Sequence, residues 1–376
     1  MTQRRTEAEE AAPRLLDLIQ GLLLELHPHG RPRAVTLDSS LERDLGLDSL
    51  GRMELLHQVE DAFGVRLPEQ LIVTAETPRD VLRALLARTG QAPPEELKVA
   101  FLRTGPAPEA PQQAMTLTEV LTWHATTHPE RVHVHLQTDP EPVELTYHDL
   151  LTGAAEVAAG LQAHGLEPGE TVAIMLPTSR QYLETFFGAL LAGLVPVPIY
   201  PPFRPSQLEE HLRRQAGILR NAQASVLVSV PEVRSLAHLL RATVESLRAI
   251  ETVEALKSGK AQTRLHANPQ DVAFLQYTSG STGNPKGVVL THANLLANIR
   301  AMGEVAEVGP RDVFVSWLPL YHDMGLIGAW LGSLYYGIPL VLLSPLQFLA
   351  RPERWLWSIH RYGGTLSAAP NFAYEI

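Results

Sequence analysis

The chain has 376 residues, 45% of them hydrophobic, with a formal net charge of −10 at pH 7 and no cysteine. That length exceeds one ordinary domain and implies two or three, each with its own core. The acidic balance, without any long basic run, argues against nucleic acid as a partner, and the lack of cysteine excludes disulfides, Cys-ligated metals and a cysteine nucleophile. Met1 to Glu7 is polar and is not followed by the apolar core of a signal peptide, so a cytoplasmic location is expected.

Residues near 12 to 89 read as helices with short connections. Leu15, Leu16, Ile19, Leu22, Leu23 and Leu26 recur at helical spacing. A loop follows from Pro28 to Asp48, and Asp48 is a good N-cap for a helix running to about Phe63. Gly64 to Glu69 breaks that helix. Thr77-Pro78-Arg79-Asp80 starts a last one, with Val81, Leu82, Leu85 and Leu86 inward. By itself Asp48-Ser49 would be only a helix cap. The phrases D-L-G-L-D-S-L, F-G-V-R-L-P-E and T-P-R-D-V together resemble an acyl carrier protein, a small all-α four-helix bundle. The resemblance implies that Ser49 carries 4′-phosphopantetheine, placed there by a phosphopantetheinyl transferase. A helix start suits this, because the dipole favours the phosphodiester. Six acidic residues between Glu42 and Asp61 suit steering toward basic partner enzymes. The arm would supply the thiol that the chain lacks. The carrier domain is expected over 1–89.

Gly90 to Met115 holds Pro93, Pro94, Pro106, Pro108 and Pro111, which reads as an extended linker over 90–115. From 116 onward helical and strand-like runs alternate, as in an α/β domain. Leu145 to Leu150 opens a helix, Thr171 to Leu176 is a buried strand, and Tyr182 to Ala192 is an apolar helix stopped by Gly193. Val195 to Tyr200 is an edge-like strand with two prolines, and Val226 to Val230 is another strand.

After Val272-Ala273-Phe274-Leu275 comes Tyr277-Thr278-Ser279-Gly280-Ser281-Thr282-Gly283-Asn284-Pro285-Lys286-Gly287. Small residues let backbone N–H groups converge on an anion, hydroxyls add donors, and Lys286 adds a point charge. The common P-loop is excluded, because Pro285 stands where its second glycine belongs and Val288-Val289-Leu290 reads as a strand. The loop therefore joins strand to strand. It resembles the phosphate-binding signature of the adenylate-forming, AMP-binding enzymes. Farther on, Trp317-Leu318-Pro319-Leu320-Tyr321-His322-Asp323-Met324-Gly325 and Pro370-Asn371-Phe372-Ala373-Tyr374 look most like the fatty acyl-AMP ligase branch. The resemblance places His322 near the reacting carboxylate and phosphates. It makes Leu326 to Leu343 a packed helix and strand walling a lipid tunnel. That stretch is eighteen uncharged residues, but Gly328, Gly332, Gly337 and Pro339 argue against a membrane span. An acid at Asp323 also fits amino-acid-activating relatives, where it would pair a substrate ammonium.

The expected architecture is thus multidomain, an all-α carrier followed by a partial α/β adenylate-forming subdomain over 116–376. The resemblance implies a ligase that uses ATP and Mg²⁺. Lys286 and His322 would be its catalytic residues, and Thr278, Ser279, Gly280, Ser281, Thr282 and Gly283 would grip the phosphates. A fatty acid would become an acyl-adenylate and then pass to the arm on Ser49 and to a downstream acyl-accepting enzyme of lipid or polyketide-type synthesis. The resemblance covers the front of the ligase family. Its adenine, ribose and Mg²⁺ motifs and its lobe with a catalytic lysine have no counterpart, so the chain reads as truncated and inactive alone. The alternatives are a noncatalytic carrier with a remnant ligase domain, an acyl-CoA synthetase, and an amino-acid adenylation domain.

Overall fold

The computed structural model describes residues 2–26, 34–47, 49–65, 67–68, 71–88, 108–138, 141–201, 208–235, 240–257, 267–278 and 286–374. They fall into two compact units, Met1–Lys98 and Val99–Ile376.

The first unit is built from α1 (Thr2–Leu26), α2 (Ser49–Phe63), the single turn α3 (Leu71–Thr74) and α4 (Pro78–Arg88). The first helix starts about ten residues earlier than the apolar spacing predicts. Thr2–Ala12 is rich in Ala, Glu and Arg, so intrinsic propensity carries a stretch that has no apolar stripe. Leu15, Ile19, Leu22 and Leu23 form the inward face of α1, and α4 contributes Val81, Leu82 and Leu85. Between α1 and α2, Leu41, Leu45 and Leu47 turn inward from a loop and close this core. A second helical surface is unnecessary there, because the loop supplies the missing apolar layer.

The second unit opens with α5 (Leu117–Thr127), β1 (Val132–Leu136), β2 (Val143–Thr146) and α6 (Tyr147–Ala163). There follow β3 (Thr171–Met175), α7 (Arg180–Leu191), β4 (Val195–Pro198), α8 (Leu208–Asn221), β5 (Ala224–Ser229), α9 (Pro231–Ser235), β6 (Ala249–Glu251) and α10 (Val253–Leu256). The hairpin β7 (Val272–Thr278) and β8 (Lys286–Thr291) leads into α11 (His292–Val305) and β9 (Phe314–Ser316). A π-helical turn (Met324–Leu331), α12 (Gly332–Tyr336), β10 (Leu340–Leu342), α13 (Pro345–Ala350), α14 (Glu353–Tyr362) and a 3₁₀ turn (Asn371–Tyr374) complete it. Capping boxes at Thr116/Glu119, Thr146/Asp149 and Thr291/Asn294 start α5, α6 and α11 by satisfying orphan N–H groups.

One sheet runs β2-β1-β10-β9, antiparallel only at β1–β2; another runs β4-β3-β5-β6, all parallel. Strand alternation divides the core. Val172 and Ile174 of β3, Val226 and Val228 of β5, and Leu340 and Leu342 of β10 share one cluster with α5, α6 and α7. Those helices therefore fill the layer between the sheets. Ala173, Met175 and Leu227 face the opposite way onto Leu212, Ala216 and Leu219 of α8. Val341 and Val315 face Phe348 and Trp355 of α13 and α14. As expected, β4 ends its ladder, and β7 lies alongside it. Residues 108–115, expected in the linker, pack on this unit instead. Arg300 donates to the carbonyls of Gln112 and Ala114 (3.1 and 2.8 Å), and a side chain at Gly337 would meet Pro108 Cγ at 2.9 Å. Pro111 and Ala114 are buried, so apolar contact recruits the end of the tether.

Candidate active site and carrier serine

The hairpin sets the geometry of the anion loop. Its antiparallel register pairs Tyr277 with Gly287 and Thr278 with Lys286. The chain therefore leaves and re-enters at one point, with a hydroxyl and an ammonium, both exposed, on opposite sides of the mouth. Ser279, Gly280, Ser281, Thr282 and Gly283, expected to grip phosphate, lie outside the described residues. Gly287 is needed for a close approach: a Cβ there would sit 3.0 Å from Cζ of the Tyr277 ring. That ring is anchored by its hydroxyl, which donates to Asn221 Oδ1 at 2.5 Å. The strand after the loop is more exposed than an apolar run suggests, for Val288 and Val289 both face solvent.

Next to it stands the turn after β9. His322 is exposed, and its ring packs 5.0 Å from Tyr321. Desolvation holds the His322 pKa below its usual value, with the Asp323 carboxylate partly offsetting the effect. Three elements fix the preceding residues. Tyr182 of α7, fully buried, donates its hydroxyl to the Leu320 carbonyl at 2.6 Å. Gln276 of β7 donates its amide to the Tyr321 carbonyl at 2.8 Å. Tyr200, just past β4, packs on the Tyr321 ring at 4.6 Å. The ends of β4, β7 and β9 thus converge on one turn, at the carboxyl ends of strands where open α/β sheets bind ligands. This brings the neighbourhoods of Thr278, Lys286 and His322 together.

Asp323 caps the π-helical turn, its Oδ1 accepting the Met324 N–H at 2.8 Å. This role accounts for the acid without a substrate ammonium. Beyond it, Leu326, Ala329, Trp330 and Leu331 are buried, and Trp330 wedges among Tyr182, Phe186 and Phe187. Much of the segment expected to wall a tunnel is thus buried, and of its three glycines Gly328 is the one with open space around a would-be Cβ.

Ser49 is the first residue of α2; its side chain and all of Asp48 lie outside the described residues. The loop before it is firmly built. Leu47 N–H bonds Leu41 O (2.8 Å), Gly46 N–H bonds Glu42 O, and Gly46 takes the left-handed φ of 74°. Arg52, 4% exposed, reaches back to the carbonyls of Leu47 (3.3 Å) and Ala75 (2.8 Å) and to Glu42. Sequence reasoning missed Arg52, Gln276, Tyr200 and Tyr321. A polar residue inside the apolar run V-A-F-L-Q-Y was the available signal for Gln276.

An exposed hydroxyl and ammonium at the hairpin mouth suit a polyphosphate. Among the described residues no group of three or more acidic, His or Cys side chains could hold a metal ion. No helix of the described residues is long and apolar enough to cross a membrane.

A family model described as AMP-binding enzyme matches residues 121–376, and one described as phosphopantetheine attachment site matches residues 14–85. Among curated relatives, the medium-chain-fatty-acid–[acyl-carrier-protein] ligase JamA of Moorena producens is 36% identical over 244 residues, covering 63% of this chain and 40% of the relative. The long-chain-fatty-acid–AMP ligase FadD32 of Mycolicibacterium smegmatis is 37% identical over 246 residues, covering 63% and 38%. The fatty acid AMP ligase of Legionella pneumophila superposes with a TM-score of 0.61 at 32% identity, over 70% of this chain and 46% of that one. The adenylation domain of a keto acid-selecting NRPS module gives 0.63 at 26%, over 72% and 50%. The chain thus spans about two-fifths of the length of the curated relatives it matches.

Proposed function

Because the chain belongs to the AMP-binding enzymes and carries a phosphopantetheine attachment site ahead of that domain, we propose that it serves ATP-dependent activation of a fatty acid and its loading onto its own carrier. A carboxylate does not acylate a thiol directly, because oxide is a poor leaving group. In the proposed first step the substrate carboxylate attacks the α-phosphorus of ATP, and the bond to pyrophosphate breaks. No protein nucleophile is required, so the protein's work is placement and charge neutralisation. Lys286 and Thr278, with the loop between them, would hold the departing pyrophosphate. His322 would face the carboxylate end of the acid. In the second step the acyl–oxygen bond of the adenylate breaks as AMP leaves. The arm on Ser49 supplies the accepting thiol. Arg52 and the 41–47 loop hold the start of α2, where a phosphopantetheinyl transferase would reach Ser49. A downstream acyl-accepting enzyme in lipid or polyketide-type synthesis, in the cytoplasm, would take the product.

The observation that carries this reading is the hairpin register, which seats Thr278 opposite Lys286 beside the braced His322 turn. The relatives named for fatty acids support the acyl substrate, and the capping role of Asp323 speaks against an amino acid.

The test has three arms. Intact-mass measurement after transferase and coenzyme A treatment should show one added arm, absent in Ser49→Ala. Titration with Mg²⁺-pyrophosphate should show binding that Lys286→Ala weakens by roughly tenfold, the scale of one charge-assisted contact. Fatty-acid-dependent ATP–pyrophosphate exchange, measured with acids of several chain lengths, should appear and should fall with Lys286→Ala. A mass gain that survives Ser49→Ala removes the carrier. Exchange with amino acids but not fatty acids makes it an amino-acid adenylation domain, and acylation of free coenzyme A in preference to the arm makes it a synthetase.

A further inference from the structure

Gln276 is 5% exposed and stands on β7, two residues before the anion loop opens at Thr278. A buried amide in an apolar strand carries a desolvation cost unless its polar atoms are used. Its Nε2 is used: it donates to the Tyr321 carbonyl at 2.8 Å, across 45 positions of sequence. Its Oε1 has no partner among the described residues. Rotating the amide by half a turn would set that oxygen against the Tyr321 oxygen, so the bond fixes the orientation. Apolar packing alone could have closed this contact more cheaply.

The position of the bond explains what it does. Tyr182 and Tyr200 also hold the 320–322 turn, but from α7 and from the end of β4. Neither element leads into the anion loop. Gln276 alone of the three shares a strand with Thr278, and its partner Tyr321 immediately precedes His322. The turn itself is narrow, with the His322 N–H on Pro319 O (3.2 Å) and the Leu326 N–H on His322 O (2.9 Å). A shift at Tyr321 therefore reaches His322 undamped.

We propose that Gln276 is a positioning residue, whose amide locks the strand carrying the anion loop to the turn carrying His322, so that phosphate and carboxylate are held in one register. The inference rests on the functional reading above. It predicts that the two halves of the site move together when Gln276 is present and separately when it is not.

The test uses the full chain and two variants. Gln276→Met keeps length and bulk and removes the donor. Gln276→Glu restores a donor only when its carboxyl is protonated. Without any ligand, hydrogen–deuterium exchange of peptides spanning 319–326 should quicken about fivefold to tenfold in Gln276→Met, the loss of roughly one hydrogen bond. Peptides from α5 and α6 should stay unchanged. Gln276→Glu should exchange at least as fast as Gln276→Met at high pH, where its buried carboxylate also repels the Tyr321 carbonyl, and return toward the parent at low pH, each compared with the parent at the same pH. Added Mg²⁺-pyrophosphate should shift the His322 ring resonances in the parent, but bind Gln276→Met with little change in affinity and a much smaller His322 shift. Unchanged exchange at 319–326 in Gln276→Met overturns the proposal, as does faster exchange spread over the whole unit. Failure of the parent to bind pyrophosphate would instead sink the functional reading, while the ligand-free exchange still judges the brace.

Discussion

At the scale of single residues, the motif H-D-M-G around His322 divides its work. His322 is presented to solvent, Asp323 caps the following turn, and Gly325 lets that turn dock. A Cβ on Gly325 would lie 2.4 Å from the Pro319 carbonyl oxygen and 2.9 Å from that of Leu318. Both are backbone atoms and cannot swing aside. We expect Gly325→Ala to cost about 2 kcal/mol or more, in the manner of an overpacked core, and to displace His322 with the turn. Thermal unfolding would read the stability, and His322 ring resonances would read the displacement; unchanged values of both would mean that the backbone yields there. These roles were only partly legible. The exposed His322 and the glycine came with the motif, whereas the braces did not. Tyr182, Tyr200 and Gln276 lie 46 to 140 positions from His322 along the chain, and no local pattern announces a hydrogen bond across such distance. Arg52 was hidden for a different reason: on an amphipathic helix an arginine reads as surface, yet here it is buried by three carbonyl and carboxylate partners.

At the scale of elements, β1 holds an oddity, V-H-V-H-L, with both histidines buried. His133 and His124 of α5 both stack on the Tyr147 ring, at 5.0 and 4.6 Å. Desolvation lowers His124 to about 4 and His133 to about 3. Around them stand His128 and Arg131, which oppose charging, while Glu144 from β2 sits 3.3 Å from His135 and favours it. Desolvation still leaves His135 below its usual value. His292, which starts α11 and accepts the Leu117 N–H at 3.2 Å, is lowered to about 4. Each of these groups has a folded pKa below its unfolded value near 6.5, so the unfolded chain binds more protons at intermediate pH. Stability is then full above about pH 6.5 and falls as pH drops toward 4, by about 1.4 kcal/mol per pH unit for each group that titrates on unfolding. Urea unfolding of the second unit should show that slope, and His133→Phe should flatten it. A stability flat between pH 7 and 4.5 would refute the assignment. Helices and strands themselves were well marked in sequence: the apolar run at Tyr182, the glycine after it and the strand at Thr171 fall where the pattern puts them. What pattern could not supply was charge state, because a buried histidine and a solvent-facing one look alike in a strand read by apolar spacing.

At the scale of the whole molecule, each of the two units has its own described core. The buried leucines of the first unit come from α1 to α4, the 41–47 loop and Leu67, while the buried members of the clusters in the second unit start at Ala114, with Ala110 packed against them. Packing of residues 108–115 onto the second unit sharpens the division, since Arg300 and the Gly337 surface pin that end of the tether. Each unit thus has an apolar core of its own, which lets each unfold in its own transition. Calorimetry of the chain should therefore show two transitions. Because four buried histidines belong to the second unit alone, lowering the pH should move its transition down while the first stays nearly in place. Ser49→Ala should move neither. A single transition that shifts as a whole with pH would show the units to be coupled. Under the proposed function independent folding would suit a carrier, whose arm would meet a transferase, an activating site and an acceptor in turn without its own scaffold being unfolded or locked. On that reading the acidic residues between Glu42 and Asp61 would set encounter rates, whereas stability stays with the buried Leu15, Leu47, Val59 and Leu85.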